Sequence, residues 1–188
     1  MNTYVVLLRG INVGGKNKVP MAALRACLEE LGFTDVSTYI ASGNVILRSR
    51  KGAKAVQAQV EKALPEHFDL DDELVKALVL TPDQLQAVIE DKPSGFGEQP
   101  DEHHSDAIFL MGIDAAEAMT VFAPREGVDE VWPGDGVVYS QRLSAQRTKS
   151  RLNRIMSSPL YKSMTIRNWT TTTKLLDLLQ DLDTTRKP

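Results

Sequence analysis

The chain has 188 residues, 42% of them hydrophobic and 25% charged, and a formal net charge of −3. This composition is typical of a soluble globular protein, and it excludes a disordered chain, a collagen and a disulfide-rich scaffold. No apolar run reaches the ~18 residues that a spanning helix needs, so we expect neither a membrane segment nor a secretory signal. Because Cys27 is the only cysteine, no internal disulfide can form, which predicts a cytoplasmic location.

The first 80 residues predict the element order β-α-β-β-α-β. Pro20 opens the first helix, which ends at Gly32, and Pro65 is expected to interrupt the second helix. A turn at residues 41–44 indicates a hairpin between the two middle strands. The predicted strands are residues 4–9, 36–40, 45–48 and 74–80, and the second helix begins at Ala53. This order is that of the split β-α-β, or ferredoxin-like, arrangement.

The same order is predicted again further along the chain. A capping box at Thr81 starts a helix to about residue 90, and residues 92–105, rich in proline, glycine and charge, predict an exposed linker. Strands are then predicted at 106–112, 128–132, 137–141 and 164–167, with helices at 114–123, 151–156 and 171–182. We therefore expect an α+β fold of two tandem ferredoxin-like (alpha-beta plait) halves with additional helices: residues 1–80, a helix and linker at 81–105, and residues 106–188.

Between its first strand and first helix, the first half carries about nine residues, 11–19, that the second half lacks. An insertion that the architecture does not need is a functional candidate. From Gly10 to Asn17 it nearly matches the phosphate loop G-x-x-x-x-G-K-[ST]. Asn17 replaces the Mg²⁺-binding hydroxyl and Pro20 delays the helix, which disfavours a nucleoside triphosphatase. Two interpretations stay open: a structural loop, or an anion site made by loop amides and the nearby cations Arg9, Lys16 and Lys18.

A second unusual stretch, residues 165–174, surrounds the start of the terminal helix. Asn168 or one of the threonines after it is expected to cap that helix. Trp169 at a helix entry is more typical of a packing anchor than of a stacking platform. Arg167 and Lys174 near a helix N-terminus, in a stretch without acids, would also favour an anion.

Charge is strongly segregated along the chain. Residues 61–135 contain nineteen acids and four bases, whereas residues 136–174 contain eight bases and no acid. Folding can gather such acid-free stretches into a positive surface, and residues 142–154 form a basic stripe that a nucleic-acid-binding protein would use. An RRM-like role is disfavoured because the strand predicted at 45–48 has no aromatic residue. The three histidines lack zinc spacing, so no metal site is expected, and no nucleophile or general base stands out.

Three motifs closely resemble a bacterial family catalogued as domain of unknown function 1697. They are LRGINVGGKNKVP at residues 8–20, YIASGNV at 39–45 and RNWTTTTKL at 167–175. The resemblance implies an α+β fold of two alpha–beta plait halves, and it implies no activity, substrate or cofactor. The third motif usually reads N-W-N-T in the family, whereas Thr170 occupies the third place here.

These observations favour binding of a small anionic ligand, a nucleotide or a phosphorylated metabolite, at the glycine-rich loop between the two halves. The alternatives are a nucleic-acid-binding protein using residues 142–154 and a protein-interaction or scaffold module without a ligand. Neither a cofactor nor a reaction follows from the sequence. The candidate ligand-binding residues are Arg9, Asn12, Gly14, Gly15, Lys16, Lys18, Ser42, Asn44, Arg167, Asn168, Trp169 and Lys174.

Overall fold

The computed structural model describes residues 1–71 and 75–184, which form two compact units. Unit 1 comprises Met1–Leu85 and the chain from Leu175 onward, and unit 2 comprises Gln86–Lys174. Each unit contains a four-stranded antiparallel sheet accompanied by helices, so the predicted α+β class is confirmed. No helix in the described part of the chain has the length and hydropathy to cross a bilayer.

Unit 1 contains four strands and two helices of its own. In chain order they are β1 (Asn2–Arg9), α1 (Met21–Glu30), β2 (Thr34–Tyr39), β3 (Asn44–Ser49), α2 (Ala53–His67) and β4 (Lys76–Leu80). The strands are arranged in the order β2-β3-β1-β4, each antiparallel to its neighbour. Leu74, with which the predicted last strand begins, lies outside the described residues.

The core of unit 1 lies between the sheet and its two helices. Buried residues recur at helical spacing in α1 and α2, where they pack on the apolar residues of β1 and β3. One prediction is wrong: α2 continues through Pro65 to His67. Pro65 lies in the last turn, where the N–H of Phe68 still bonds to the carbonyl of Leu64 and closes the helix.

Unit 2 contains the second sheet. Its strands are β5 (His103–Leu110), β6 (Asp129–Pro133), β7 (Val137–Leu143) and β8 (Met164–Asn168), in the order β6-β7-β5-β8, and the short helix α4 (Ala115–Met119) follows β5. Two helices belong partly to each unit, α3 (Pro82–Glu90) and α5 (Trp169–Thr184). Three 3₁₀ helices connect β7 to β8: Ser144–Lys149, Leu152–Ser157 and Pro159–Ser163. We call residues 144–163 the basic segment.

The α-helix predicted at residues 151–156 is therefore wrong, because this part of the chain is 3₁₀-helical. Leu152 and Ile155 are its buried residues, and their spacing of three matches the three-residue turn of a 3₁₀ helix. Met156, the next apolar residue of this segment, is 61% exposed. Pro159 then prevents the turn from being extended.

The linker predicted at residues 92–105 is shorter than expected. Strand β5 begins at His103, three residues earlier than predicted, because residues 103–105 pair with the end of β7. His103 and His104, expected in an exposed acidic loop, are accordingly half-buried in a sheet. Helix α5 also begins early, at Trp169 instead of residue 171.

A cluster of aromatic rings fixes the start of α5 in unit 2. The ring of Phe96 is fully buried, and its centroid lies 4.9 Å from that of Trp169 and 5.2 Å from that of Tyr139, both in edge-on geometry. The Tyr139 hydroxyl donates a hydrogen bond to the carbonyl of Val88, and burial raises the pKa of Tyr139 to about 12. Trp169 is thus the packing anchor expected of it, being 8% exposed.

Candidate functional site

A pocket of about 120 Å³ lies in unit 2 where β8 ends and α5 begins. We call it the β5–α5 pocket. Its polar wall consists of imidazole, hydroxyl and amide groups, and none of the acidic side chains that the structure describes lines it. The main contributors are His103, His104 and Ser105 from β5, Ser144 from the basic segment, and Asn168 and Thr170 at the start of α5.

The pairing of β5 explains why a pocket forms at this point. Strand β8 pairs with β5 only as far as Asp106, which stands opposite Asn168. Residues 103–105 of β5 extend beyond that last pair and remain bonded to β7 on their other side. The chain turns into α5 immediately after Asn168, so an open strand edge and a helix N-terminus face the same cavity.

Helix α5 presents the positive end of its dipole to this pocket. Asn168 caps the helix as predicted, since its Oδ1 accepts the N–H of Thr170 at 2.9 Å. The side chain of Thr172 donates a hydrogen bond to the carbonyl of Asn168 at 3.1 Å and fixes the same turn. The unused N–H groups of a first helical turn attract anions, each helix end being equivalent to roughly half a charge.

His103 contributes a polar atom that the protein itself does not satisfy. Its Nδ1 is buried and has no hydrogen-bond partner among the described residues. An atom closed to solvent cannot touch a ligand in the open pocket while the imidazole keeps this position, so Nδ1 is not one of the pocket's contacts.

His104 is held in the pocket wall by the half-buried carboxylate of Asp106. Its Nε2 lies 3.1 Å from Oδ2 of Asp106, and Nη1 of Arg142 lies 3.9 Å from the same oxygen. Burial raises the pKa of Asp106, and it outweighs the opposite effects of His104 and Arg142. Asp106 therefore restricts the orientation of the imidazole, which is 39% exposed.

The glycine-rich loop of unit 1 is a tight turn. Gly14 and Gly15 have φ angles of 58° and 78°, which is the pattern of a type I′ turn, and the N–H of Lys16 donates to the carbonyl of Val13 at 3.0 Å. Asn12 closes the base of the turn: its side chain bonds to both backbone groups of Val19, at 2.8 and 3.0 Å, and to the carbonyl of Ala41 at 2.9 Å.

This turn uses several of the amides that a phosphate cradle would need. The N–H groups of Asn12, Lys16 and Val19 all donate to acceptors within the loop. The side chain of Asn17 bonds to the carbonyl of Gly10 and accepts the N–H of Asp71, which brings an acidic residue beside the loop. An anion at this turn would depend on the exposed side chains of lysines 16 and 18.

The predicted site residues fall into both units. Within unit 1, Asn44 is buried and closes the hairpin through bonds to the Tyr39 carbonyl and the Ser42 hydroxyl. In unit 2, Asn168 and Trp169 line the pocket. Members in unit 1 are Arg9, Asn12, Gly14, Gly15, Lys16, Lys18, Ser42 and Asn44, and those in unit 2 are Arg167, Asn168, Trp169 and Lys174.

Arg167 is a buried cation that does not line the pocket. It is 6% exposed, and its Nη1 donates to the Thr165 hydroxyl at 3.0 Å and to the Ile166 carbonyl at 2.8 Å. Burial lowers its pKa to about 10, which leaves the guanidinium charged at neutral pH. Its positive charge contributes to the local potential without a direct contact to the cavity.

Sequence reasoning missed seven lining residues: Gly97, Pro100, His103, His104, Ser105, Ser144 and Thr170. Local sequence gives little signal here, because residues 103–106 are all polar and residues 107–110 are all apolar, without the alternation of a half-buried strand. The proline- and glycine-rich sequence just before residues 103–106 favoured a loop instead.

The chain is similar to a family of proteins of unknown function and to a bacterial protein of known structure. A family model described as "Protein of unknown function (DUF1697)" matches residues 1–139. The solved structure of the conserved bacterial protein SP0830 from Streptococcus pneumoniae is similar, with a TM-score of 0.79 and 28% sequence identity over 95% of this chain and 98% of that one. A search of curated proteins gives no match.

Proposed function

The chain belongs to the DUF1697 family of proteins of unknown function, and from its own residues we propose that it binds a small anionic ligand in the β5–α5 pocket. The ligand class is a nucleotide or a phosphorylated metabolite. The observation that supports this proposal is the pocket wall, which combines two imidazoles, hydroxyl groups and the start of a 16-residue helix without an acidic side chain from the described residues.

The size of the pocket limits which part of the ligand enters it. A water molecule takes up about 30 Å³ of liquid, so a cavity of about 120 Å³ has the room of roughly four waters. Sites that enclose a whole drug-sized ligand are about 300–1,000 Å³. The pocket therefore fits a phosphate group, and the remainder of the ligand stays outside.

The available contacts predict modest affinity. Hydrogen bonds to a charged group contribute about 1.5–3 kcal/mol each, and the helix end adds about 0.3–1 kcal/mol. Two or three such contacts, less the cost of binding, correspond to a dissociation constant on the order of 0.1–1 mM for phosphate alone.

We also propose a more specific description of the fold than the α+β class. In both sheets the strand order is the one that a β-α-β-β-α-β chain forms in a ferredoxin-like half. We infer that each unit is such a half and that the chain is a duplication, with the three 3₁₀ helices of unit 2 standing where unit 1 has α2.

Isothermal titration with inorganic phosphate and with AMP tests the binding proposal. Thr170→Val removes a hydroxyl from the pocket wall at constant shape, and Thr171→Val is the matched control because Thr171 does not line the pocket. We expect the first variant to bind both ligands about three- to tenfold more weakly and the second to bind like the wild type.

Lys16→Ala distinguishes this site from the glycine-rich loop. Binding that weakens in Lys16→Ala and not in Thr170→Val would move the site to the loop in unit 1. The absence of any heat of binding with phosphate and AMP up to several millimolar would contradict the proposal altogether.

A further inference from the structure

The basic segment carries four exposed cations, and none of them forms an ion pair with a described residue: Arg147, Lys149, Arg154 and Lys162. Buried Leu152 and Ile155 hold the segment against unit 2. No acidic residue occurs between positions 136 and 174, so nothing within this stretch neutralises these charges. Among the described residues, these four side chains are therefore available to an anionic partner.

Two arginines in or next to the basic segment contact acidic residues of unit 2. Arg142, just before this segment, lies beside Asp106. The backbone N–H of Arg151 donates to Asp129 at 2.8 Å, while Nε of the same arginine is buried and has no hydrogen-bond partner among the described residues.

The basic segment begins in the β5–α5 pocket. Ser144 lines the pocket and is also the first residue of the first 3₁₀ helix. Arg147 and Lys149 follow Ser144 by three and five residues, in a segment that bends at Gln146 (φ −117°, ψ 22°). A fully extended chain spans at most about 3.6 Å per residue, so the Cα atoms of both cations lie within about 18 Å of that of Ser144. Exposed Asp101 and Glu102 adjoin the start of this segment, since the N–H of Ser144 donates to the carbonyl of Glu102 at 2.8 Å. These acids repel negative charge and the cations that follow Ser144 attract it, so charge favours a ligand that continues from the pocket along the basic segment.

We propose that the anionic ligand is a single-stranded nucleic acid with a terminal phosphate. The terminal phosphate enters the β5–α5 pocket, and the phosphodiesters that follow it lie along the cations of the basic segment. This inference rests on the proposed function, because it uses the same pocket as the anchor. Recognition is through the backbone and is independent of base sequence, since Trp169, the aromatic side chain of the pocket, is nearly buried and packed on Phe96.

This mode of binding predicts two quantities that can be measured separately. Four phosphate contacts on a single strand give a slope of log affinity against log salt of about −3, because each contact contributes about −0.7. A terminal phosphate in the pocket adds hydrogen bonds to a charged group, which corresponds to about tenfold tighter binding than the same strand ending in a hydroxyl.

Fluorescence anisotropy with labelled oligothymidylates tests both predictions. The probes are the same strand with a 5′-phosphate, with a 3′-phosphate and with hydroxyls at both ends. The variant Arg147→Ala/Lys149→Ala/Arg154→Ala removes three charges from the basic segment. The matched control, Arg50→Ala/Lys54→Ala/Lys62→Ala, removes three exposed charges from unit 1. Circular dichroism confirms that both variants are folded.

We expect one phosphorylated strand to bind about tenfold more tightly than the hydroxyl strand and this preference to disappear in Thr170→Val. We also expect the basic-segment variant, but not the control, to weaken binding of every strand and to flatten the salt dependence. Equal binding of all three strands, or equal losses in the two triple variants, overturns the inference. Phosphate and AMP binding that weakens in Thr170→Val, together with equal binding of the three strands, overturns this inference and leaves the proposed function intact. The absence of phosphate and AMP binding removes the pocket as an anchor and overturns both.

Discussion

Gly97 has both a backbone conformation and a neighbour that exclude other residues. Its φ is +72°, and a Cβ built on it would meet Cδ1 and Nε1 of the Trp169 indole well inside contact distance. Gly97→Ala is therefore expected to lower the free energy of unfolding by about 2–4 kcal/mol, the sum of overpacking against Trp169 and left-handed strain. Urea denaturation followed by circular dichroism measures the change.

Gly95 provides the control for this substitution. It has a φ of +81°, but a Cβ there would have no neighbour within 4 Å. Gly95→Ala carries the strain alone, so a loss of about 1 kcal/mol is expected. If the two variants were equally destabilised, the contact between Gly97 and Trp169 would have no energetic consequence.

At the scale of elements, Asp129 connects three parts of unit 2. Its Oδ2 accepts the N–H of Arg125 at 3.0 Å and that of Arg151 at 2.8 Å, which joins the start of β6 to the preceding turn and to the basic segment. Burial acts to raise the pKa of Asp129, but these two N–H groups and the Ser150 hydroxyl, together with the charge of Arg142, outweigh it and hold the pKa below its ordinary value of 3.8.

A carboxyl with a lowered pKa makes stability depend on pH in one direction. The stabilisation is fully present above the unfolded pKa and is lost as the pH falls through the lower folded pKa. Asp129→Asn should therefore be less stable than the wild type at pH 7, by about 1–3 kcal/mol, with a difference that shrinks below about pH 4. Urea unfolding at pH 7 and pH 3 measures this, and a difference independent of pH would contradict it.

The elements differ in how far the sequence determines them. Central strand β1 is a run of buried apolar residues and follows from its sequence alone. The first residues of β5 are polar, and they become a strand only because the end of β7 pairs with them. The segment at 151–156 has too few apolar residues to fill a helical face, so packing of two side chains selects the 3₁₀ form.

The residues that line the pocket could be predicted only in part, because sheet pairing brings most of them together. Asn168 and Trp169 were identifiable because they sit at a predicted helix start, where capping and anchoring have sequence patterns. The histidines of β5 and Ser144 reach the same cavity through the strand order β7-β5-β8. The topology of the sheet brings together residues from positions 103 to 170. Local sequence patterns do not predict such proximity between distant residues.

At the scale of the whole molecule, the β5–α5 pocket belongs to unit 2, and the hydrophobic core around Leu24 belongs to unit 1. All residues that line the β5–α5 pocket are in unit 2, whereas Leu24 is fully buried in the core of unit 1. Leu24→Ala is expected to lower stability by about 2–5 kcal/mol through the cavity that it leaves. At a temperature where the variant remains folded, calorimetry should still give wild-type affinity for phosphate, and weaker binding would contradict this expectation.

Both tryptophans of the chain, Trp132 and Trp169, lie in unit 2, and both rings contact Phe96. Ultraviolet emission excited at the indole band consequently reports on the surroundings of Phe96 in unit 2. A new tryptophan placed at an exposed position of unit 1 would give that half of the chain an optical signal of its own.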